Sequence, residues 1–231
     1  MAAVGRPARS PANETELELI GGTLCLDFVN TVDPRHGNAR SEYLTDYRAL
    51  LSWAVRAGAL GMREAAKLRA EARRHPRRAR QVHRDAIALR EHAYAIFDAV
   101  LRGVRPPARS VRLVNHHLAQ ASAKQRLVVG DVAPHWGWSG DRDLARVLWP
   151  ILRSIADLLV GPVDRIRECP GDGTCGWLFL DTTKNGSRKW CEMRTCGNRA
   201  KARRYYERTT RRRPGTEPGD GRHQRSVVSG S

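Results

Sequence analysis

Apolar residues recur at helical spacing through most of the first 160 positions. In the stretch LTDYRALLSWAVRAGAL the apolar side chains fall on one face, because residues three and four apart are neighbours on a helix. Thr45 or Asp46 would cap the start of this helix, and Gly58 its end. The same periodicity predicts helices at 62–75, 76–101 and 110–123. The pattern indicates a mainly α-helical fold.

The segment LCLDFV, residues 24–29, is apolar except for Asp27. Two apolar pairs at i,i+4 favour a short helix capped by Thr23, although the alternation of Leu24, Leu26 and Phe28 would also suit a strand. A carboxylate in such a segment needs a partner. Asp27 either lines a ligand pocket or, as we prefer, accepts hydrogen bonds from the backbone or an internal arginine.

Two short β-rich pieces, QRLVVGD and APHWGWSG, interrupt the helices, and Gly130-Asp131 between them predicts a β-hairpin. Asp141 then caps an apolar helix, LARVLWPILRSIADLLV, that ends at Gly161-Pro162. Pro150 lies inside this helix and predicts a kink.

The composition changes after Gly161, where cysteines and glycine turns replace the aliphatic residues. We therefore expect a flexible tail at 1–15, a helical domain at 16–163, a small cysteine-rich module at 164–208 and a disordered basic tail at 209–231. In the module, GWLFLD has the alternation of a strand, TTKNGSRKW would be its turn, and a helix would begin near Cys196. The expected fold class is mainly α with a small β element, followed by a β-hairpin-and-helix module.

The cysteines of this module form two close pairs, which suits a metal site. Cys169 and Cys175 are separated by five residues, Cys191 and Cys196 by four, and the two pairs by fifteen. Two such loops can bring four thiolates to one Zn²⁺, and a closed four-sulfur shell makes the ion structural. An iron–sulfur cluster and free thiols are the alternatives. Cys25 stands alone in an apolar segment and is expected to be a core residue.

The positive charge is concentrated in two places. The formal net charge is +17, and residues 183–213 carry 12 Lys/Arg against 2 Asp/Glu, while residues 62–84 carry 9 against 2. Such patches attract polyanions. No run of 18 apolar residues could span a membrane, and an odd number of cysteines without a secretory segment predicts a cytoplasmic protein. Motifs of hydrolases, P-loop proteins and metalloproteases are missing, so we do not expect an enzyme.

The C-terminal stretch CGWLFLDTTKNGSRKWCEMRTCGNRAKARRYY resembles the CGNR zinc finger family, whose tetrapeptide is Cys196-Gly197-Asn198-Arg199 here. Upstream, GGTLCLDFVNT resembles the opening of the ABATE domain, which precedes this finger in bacterial stress-induced transcription regulators. The resemblance implies zinc on Cys169, Cys175, Cys191 and Cys196, and DNA binding by the finger. The first loop differs from the family pattern, because it has five residues between its cysteines where four are common.

The candidate nucleic-acid residues surround the start of the C-terminal helix. Asn198 and Arg199 either read bases or, as we prefer for Asn198, brace the metal loop. Trp177, Phe179 and Trp190 either stack on bases or, as we prefer, form a miniature core. The better phosphate candidates are Arg188, Lys189, Arg194, Lys201, Arg203 and Arg204.

These observations predict a DNA-binding transcription regulator with a structural zinc finger and a helical domain that senses a ligand or binds a partner. A ligand would act by biasing two arrangements of a linker at 161–165. The alternatives are an RNA-binding zinc protein and a zinc-dependent protein-interaction module. The interpretation includes a small-molecule ligand at the helical domain and a homodimer as further hypotheses.

Overall fold

The computed structural model describes residues 17–37, 40–129 and 133–211. The predicted N-terminal tail and residues 212–231 lie outside these ranges, and so does the predicted Gly130-Asp131 turn. Residues 209–211, which the composition assigned to a disordered tail, are the last residues of a helix. Within the described ranges, no helix has both the length and the apolar character that crossing a lipid bilayer requires.

Seven α-helices occupy half of the described residues, as the apolar periodicity predicts. They are α1 (Leu24–Val29), α2 (Tyr47–Arg56), α3 (Met62–Arg74), α4 (Pro76–Leu101), α5 (Ala108–Ser122), α6 (Trp149–Leu159) and α7 (Asn198–Arg211). Three two-stranded antiparallel sheets join them: β1 (Val32–Asp33) with β2 (Ser41–Glu42), β3 (Gln125–Val129) with β4 (Pro134–Trp138), and β5 (Ile166–Glu168) with β6 (Leu178–Leu180). The predicted fold class, mainly α with small β elements, is confirmed.

Local signals set the bounds of α2. The Asp46 carboxylate accepts a hydrogen bond from the Ala49 amide at 2.7 Å, which satisfies one of the free N–H groups at the helix start. Gly58 follows the helix with φ of +72°, a conformation that costs glycine little. Both features are as the sequence predicts.

The apolar segment around Pro150 differs from its prediction. Asp143, not Asp141, caps its start by accepting a hydrogen bond from the Ala145 amide at 3.0 Å. The chain then forms a 3₁₀ helix over Leu144–Leu148 before α6 begins at Trp149. Pro150 therefore lies in the first turn of α6, where its missing N–H leaves no bond unmade, and the predicted kink inside one long helix is wrong.

One hydrophobic core joins the helices to the cysteine-rich segment. Phe28 of α1, Phe97 of α4 and Phe179 of β6 are all fully buried in it. The Asn30 side chain pairs with both backbone groups of Leu178, at 2.8 and 2.9 Å, as a neighbouring strand would. The core therefore continues across the linker at 161–165 on which the two-arrangement hypothesis depends.

Candidate metal centre and nucleic-acid surface

The first two cysteines lie at the tip of the β5–β6 hairpin. The Cys169 amide donates to the Trp177 carbonyl at 2.8 Å, and the Gly176 amide donates to the Cys169 carbonyl at 3.2 Å. These bonds extend the pairing beyond the strands, and a 3₁₀ turn over Gly171–Gly173 reverses the chain. Cys169 and Cys175 are thereby brought together by backbone geometry. The predicted strand at GWLFLD is confirmed, but its partner is β5 on the N-terminal side and not a strand after TTKNGSRKW.

The five-residue loop between Cys169 and Cys175 packs against the sulfur atoms, and the residue at the point of contact is Gly171. A Cβ atom on Gly171 would lie 2.5 Å from the Cβ of Cys175 and 3.0 Å from the Sγ of Cys196. Atoms at these separations overlap, so a side chain at 171 would displace a ligand. The loop therefore accommodates its fifth residue by close packing on the metal centre.

The second pair of cysteines is brought together by a single π-helical turn over Met193–Gly197. The Gly197 amide donates to the Glu192 carbonyl at 3.1 Å, five residues back, which is the bond that widens a helical turn. This wide turn places the Sγ of Cys196 3.6 Å from the Sγ of Cys191.

The four sulfurs form a compact buried cluster. All four Sγ atoms lie within 4.8 Å of one another, and the Cys175–Cys191 separation is 3.7 Å. Tetrahedral Zn²⁺ with bonds of about 2.3 Å requires sulfurs about 3.8 Å apart. The donor set and its dimensions therefore fit zinc, and Cys169, Cys175, Cys191 and Cys196 are the residues that would hold one structural Zn²⁺.

The pKa shifts of the cysteines arise first from their contacts with one another. The pKa of Cys169 is lowered because the neighbouring thiols hydrogen-bond to its sulfur. The pKa values of Cys175 and Cys191 are raised, first by their hydrogen bonds to the other thiols and then by burial beside a thiolate. Four adjacent thiolates need a cation that replaces their protons, and bound zinc supplies that charge. Cys25 is remote from the cluster in sequence and fully buried in the core, as predicted.

The loop between β6 and Cys191 is built around Asp181 and Arg188. The Asp181 carboxylate accepts hydrogen bonds from the amides of Thr183 at 2.9 Å and Arg188 at 3.0 Å. The Arg188 guanidinium donates to the carbonyls of Ile20, Trp190 and Cys191. It also lies 4.3 Å from the centre of the Phe179 ring. Arg188, predicted to bind phosphate, therefore braces the metal loop instead. It is not part of the candidate nucleic-acid surface described below.

The N-terminal segment lies directly against the first knuckle. The Arg35 amide donates to the Cys175 carbonyl at 2.8 Å, and the Tyr94 hydroxyl of α4 donates to the Gly176 carbonyl at 3.0 Å. Gly176 has φ of +63°, and a Cβ there would lie 2.5 Å from the His36 ring. The buried Arg35 guanidinium is paired with Glu91 of α4 at 2.7 Å. A loop that carries a zinc ligand is thus held in place by residues 82 to 140 positions upstream.

Helix α7 is anchored only at its start. Ala200 is buried against the metal loop, whereas every residue from 201 to 210 is exposed. Tyr205 and Tyr206 are 58% and 68% exposed, so their rings do not dock the helix on the rest of the described structure. Residues 198–211 carry six Lys/Arg and one Glu. A positively charged helix therefore extends away from the metal centre with all its faces open.

One face of α7 carries the best-placed cations. Lys201, Arg204, Tyr205 and Arg208 follow the i, i+3, i+4, i+7 spacing and line one shallow groove, whose edge also includes Glu207. Arg203, outside this groove, is paired with Glu207 at 2.9 Å, which offsets its charge. The structure thus favours Lys201 and Arg204 over Arg203 among the predicted phosphate residues. Arg208 and Tyr205 were missed, although their helical spacing from Lys201 could have revealed them.

The remaining candidates lie around the metal loop. Lys189 and Arg194 are exposed, and Arg199 is exposed beside the small cavity that Cys175, Cys191 and Cys196 line. The side-chain Nδ2 of Asn198 donates to the Arg194 carbonyl at 3.2 Å, which is the bracing contact that we preferred over base reading.

The candidate stacking aromatics belong mainly to the core. Trp177 and Phe179 are buried, and Trp190 is half-buried against the same core, which agrees with the preferred prediction.

Two family models match the chain. Residues 22–162 match ABATE, described as "Putative stress-induced transcription regulator". The chain belongs to the ABATE family. Residues 165–209, which include the four cysteines and most of α7, match the CGNR zinc finger. No curated protein matches this ABATE-family chain.

Proposed function

We propose that this ABATE-family protein is a DNA-binding transcription regulator whose zinc finger presents α7 to duplex DNA. The observation that carries the proposal is the exposure of α7 on every face from residue 201 to 210. A polar helix without tertiary contacts gains stability mainly from a partner, and six cations against one acid suit a polyanion. The major groove of B-DNA is wide enough to admit an α-helix.

Bound metal would hold the first turn of α7 in a fixed position. Cys196 lies in the turn that leads directly into α7, and Ala200 packs at the base of the helix. A closed zinc site therefore orients the first turn of α7, while the exposed stripe of Lys201, Arg204, Tyr205 and Arg208 would contact phosphates and sugars. Base contacts would come from Arg199 in the first turn of the helix, as in other helices that enter the major groove, while Asn198 braces the metal loop.

The helical part of the chain has the regulatory role in this proposal. It would sense a small molecule or bind a partner, and the shared core with the finger would carry the effect. Neither family description names a catalytic activity, and we propose a cytoplasmic regulator and not an enzyme.

The test is a titration of the zinc-loaded full chain with a labelled DNA duplex at several salt concentrations, read by fluorescence anisotropy. Contacts to about four phosphates predict a slope of about −3.6 in a plot of log K against log salt. The double variant Arg204→Ala/Arg208→Ala should reduce that slope by about 1.8. The control Arg126→Ala/Arg153→Ala removes the same charge from exposed positions on β3 and α6 and should leave the slope unchanged.

Two outcomes would replace the proposal. Tighter binding of structured RNA than of DNA at matched salt would indicate an RNA-binding protein. A lack of salt-dependent binding to either nucleic acid would indicate that α7 docks on an acidic protein.

A further inference from the structure

A cleft in the helical part of the molecule is surrounded by arginines and lies between α2, α3 and the start of α4. Its volume is about 640 Å³, which is within the range of small-molecule sites. The buried side chains of Tyr47, Leu51 and Ala79 form part of its wall, together with Ala72 and Pro76. The cleft therefore offers an apolar surface large enough for an organic molecule.

The polar lining of the cleft is almost entirely cationic. Four arginines line it, Arg48, Arg69, Arg73 and Arg80, against a single acid, Asp46. The Asp46 carboxylate already accepts the Ala49 amide at the start of α2, and Arg69 donates to the Ser52 hydroxyl at 3.2 Å. Four guanidinium groups around one apolar cleft are suited to an anion, because each can donate two parallel hydrogen bonds to a carboxylate or phosphate.

The pairing of nearby basic residues distinguishes the cleft from the rest of the basic patch. On the outer surface of the same helices Lys67 is paired with Asp141, Arg74 with Glu71 and Arg78 with Asp143. Within the described part of the chain, none of the four cleft arginines is in an ion pair. The acids of this region thus neutralise the cations that face away from the cleft and leave those of the cleft available.

We propose that this cleft binds a small organic anion, a molecule with a carboxylate or phosphate head and an apolar body, held by Arg48, Arg69, Arg73 and Arg80. The apolar wall would contact the body, and the guanidinium groups would bind the head. This inference deepens the proposed function, because it names a ligand class for the sensing role of the helical part.

The site is tested by calorimetric titration of the zinc-loaded full chain with four probes. Biphenyl-4-carboxylate and 1-naphthyl phosphate carry both an apolar body and an anionic head. Biphenyl-4-methanol has the body alone, and inorganic phosphate has the head alone. At least one of the first two should bind about tenfold or more tightly than either partial probe, and comparison of the two identifies the preferred head.

Two charge-matched variants locate the binding. Arg73→Ala/Arg80→Ala removes two cleft arginines and should weaken binding of the anionic probe by about fivefold or more. Arg74→Ala/Arg78→Ala removes the same charge from paired positions next to them and should change it less than about twofold. All four residues are exposed, so both variants should fold, which circular dichroism checks.

The proposal is overturned if the neutral alcohol binds as well as the acid, if both double variants weaken binding equally, or if neither anionic probe binds at millimolar concentration. It is also overturned if Arg73→Ala/Arg80→Ala weakens DNA binding while no probe binds, since the patch would then contact the DNA backbone. A wild-type chain that binds the probe but not DNA would retain the cleft assignment and contradict only the proposed regulator function.

Discussion

Asp27 shows how one residue in an apolar helix obtains its partners. Its carboxylate accepts a hydrogen bond from the Gly21 amide at 2.7 Å, as the preferred prediction required. Burial nevertheless raises its pKa from 3.8 to about 6, and the positive charges of Arg188 and Arg56 oppose this only in part. The folded state therefore holds the Asp27 proton up to a higher pH than the unfolded chain does.

The raised pKa of Asp27 predicts a measurable pH dependence of stability. The stabilisation of the folded state that comes from protonated Asp27 is fully present below about pH 3.8 and is lost as the pH rises through about 6. Asp27→Asn keeps an oxygen acceptor for Gly21 but cannot ionise. The free energy of unfolding of the variant relative to wild type should therefore rise by about 1 kcal/mol between pH 5 and 7.5, part of a total of about 3 kcal/mol.

Urea unfolding of both proteins at each pH measures this difference, and effects of pH on the zinc site cancel because both proteins share it. A difference that stays constant with pH would show that Asp27 has an ordinary pKa in the folded protein.

A substitution at Gly171 that adds a single Cβ atom tests how closely the first cysteine loop packs on the metal centre. Its Cβ would overlap the Cβ of Cys175 at 2.5 Å, so Gly171→Ala should lower zinc affinity by about tenfold or more. At Gly61 the nearest atom to a new Cβ is 3.5 Å away, and Gly61→Ala should leave zinc affinity unchanged. Competition with a chromophoric chelator measures both. Equal affinities in the two variants would mean that the loop can move away from the sulfurs.

At the scale of elements, α7 differs from the other helices in how it is stabilised. Helix α4 buries residues along most of its length, from Ala79 to Ala99, whereas between residues 198 and 210 of α7 only Ala200 is buried. An isolated helix of this length is marginal in water. Its order therefore depends on the metal turn at its start and on whatever binds its exposed faces.

Hydrogen exchange should reveal this difference. Amides at 203–210 should exchange at least about 100-fold faster than those at the centre of α4, because no tertiary contact protects them. Addition of duplex DNA should slow exchange in α7 and leave α4 unchanged. Mass spectrometry of the zinc-loaded chain gives both rates. Strong protection of α7 without DNA would contradict its lack of tertiary support.

At the scale of the whole molecule, the finger and the helices share a core. Trp177 donates to the Val32 carbonyl at 2.9 Å, and Leu180 donates to the Gly21 carbonyl at 2.8 Å. Bound zinc would thus stabilise more than a small module, because β6 is packed directly on α1. Loss of the metal should weaken the packing of the entire chain.

The finger and the helices are therefore expected to unfold in one cooperative transition, and removal of zinc should lower its midpoint. Cys191→Ser/Cys196→Ser should lower the midpoint of thermal unfolding by about 10 °C or more, equivalent to about 3–5 kcal/mol, in both far-UV circular dichroism and tryptophan fluorescence. Cys25→Ser is the control, because it alters a buried cysteine outside the cluster and should retain one zinc per chain. A separate unfolding step of the finger, with the helices unaffected, would show that the shared core does not couple them.

The sequence by itself determined the features that depend on local spacing. Apolar periodicity placed the helices, Asp46 and Gly58 marked the bounds of α2, and the spacing of the cysteines identified the four sulfurs that the structure brings together. These features are predictable because each depends on residues a few positions apart, or on a ligand geometry that permits few residue types.

Only the tertiary structure decided which residues meet across the chain. It paired β6 with β5, brought the half-buried Arg188 guanidinium against three carbonyls and placed arginines of α2, α3 and α4 around one cleft. Local composition predicts the same phosphate-binding role for Arg188 and Arg204, because both are cations near the cysteines. Their roles differ because one reaches a folded neighbour 168 residues away and the other extends from a helix that has no neighbour there.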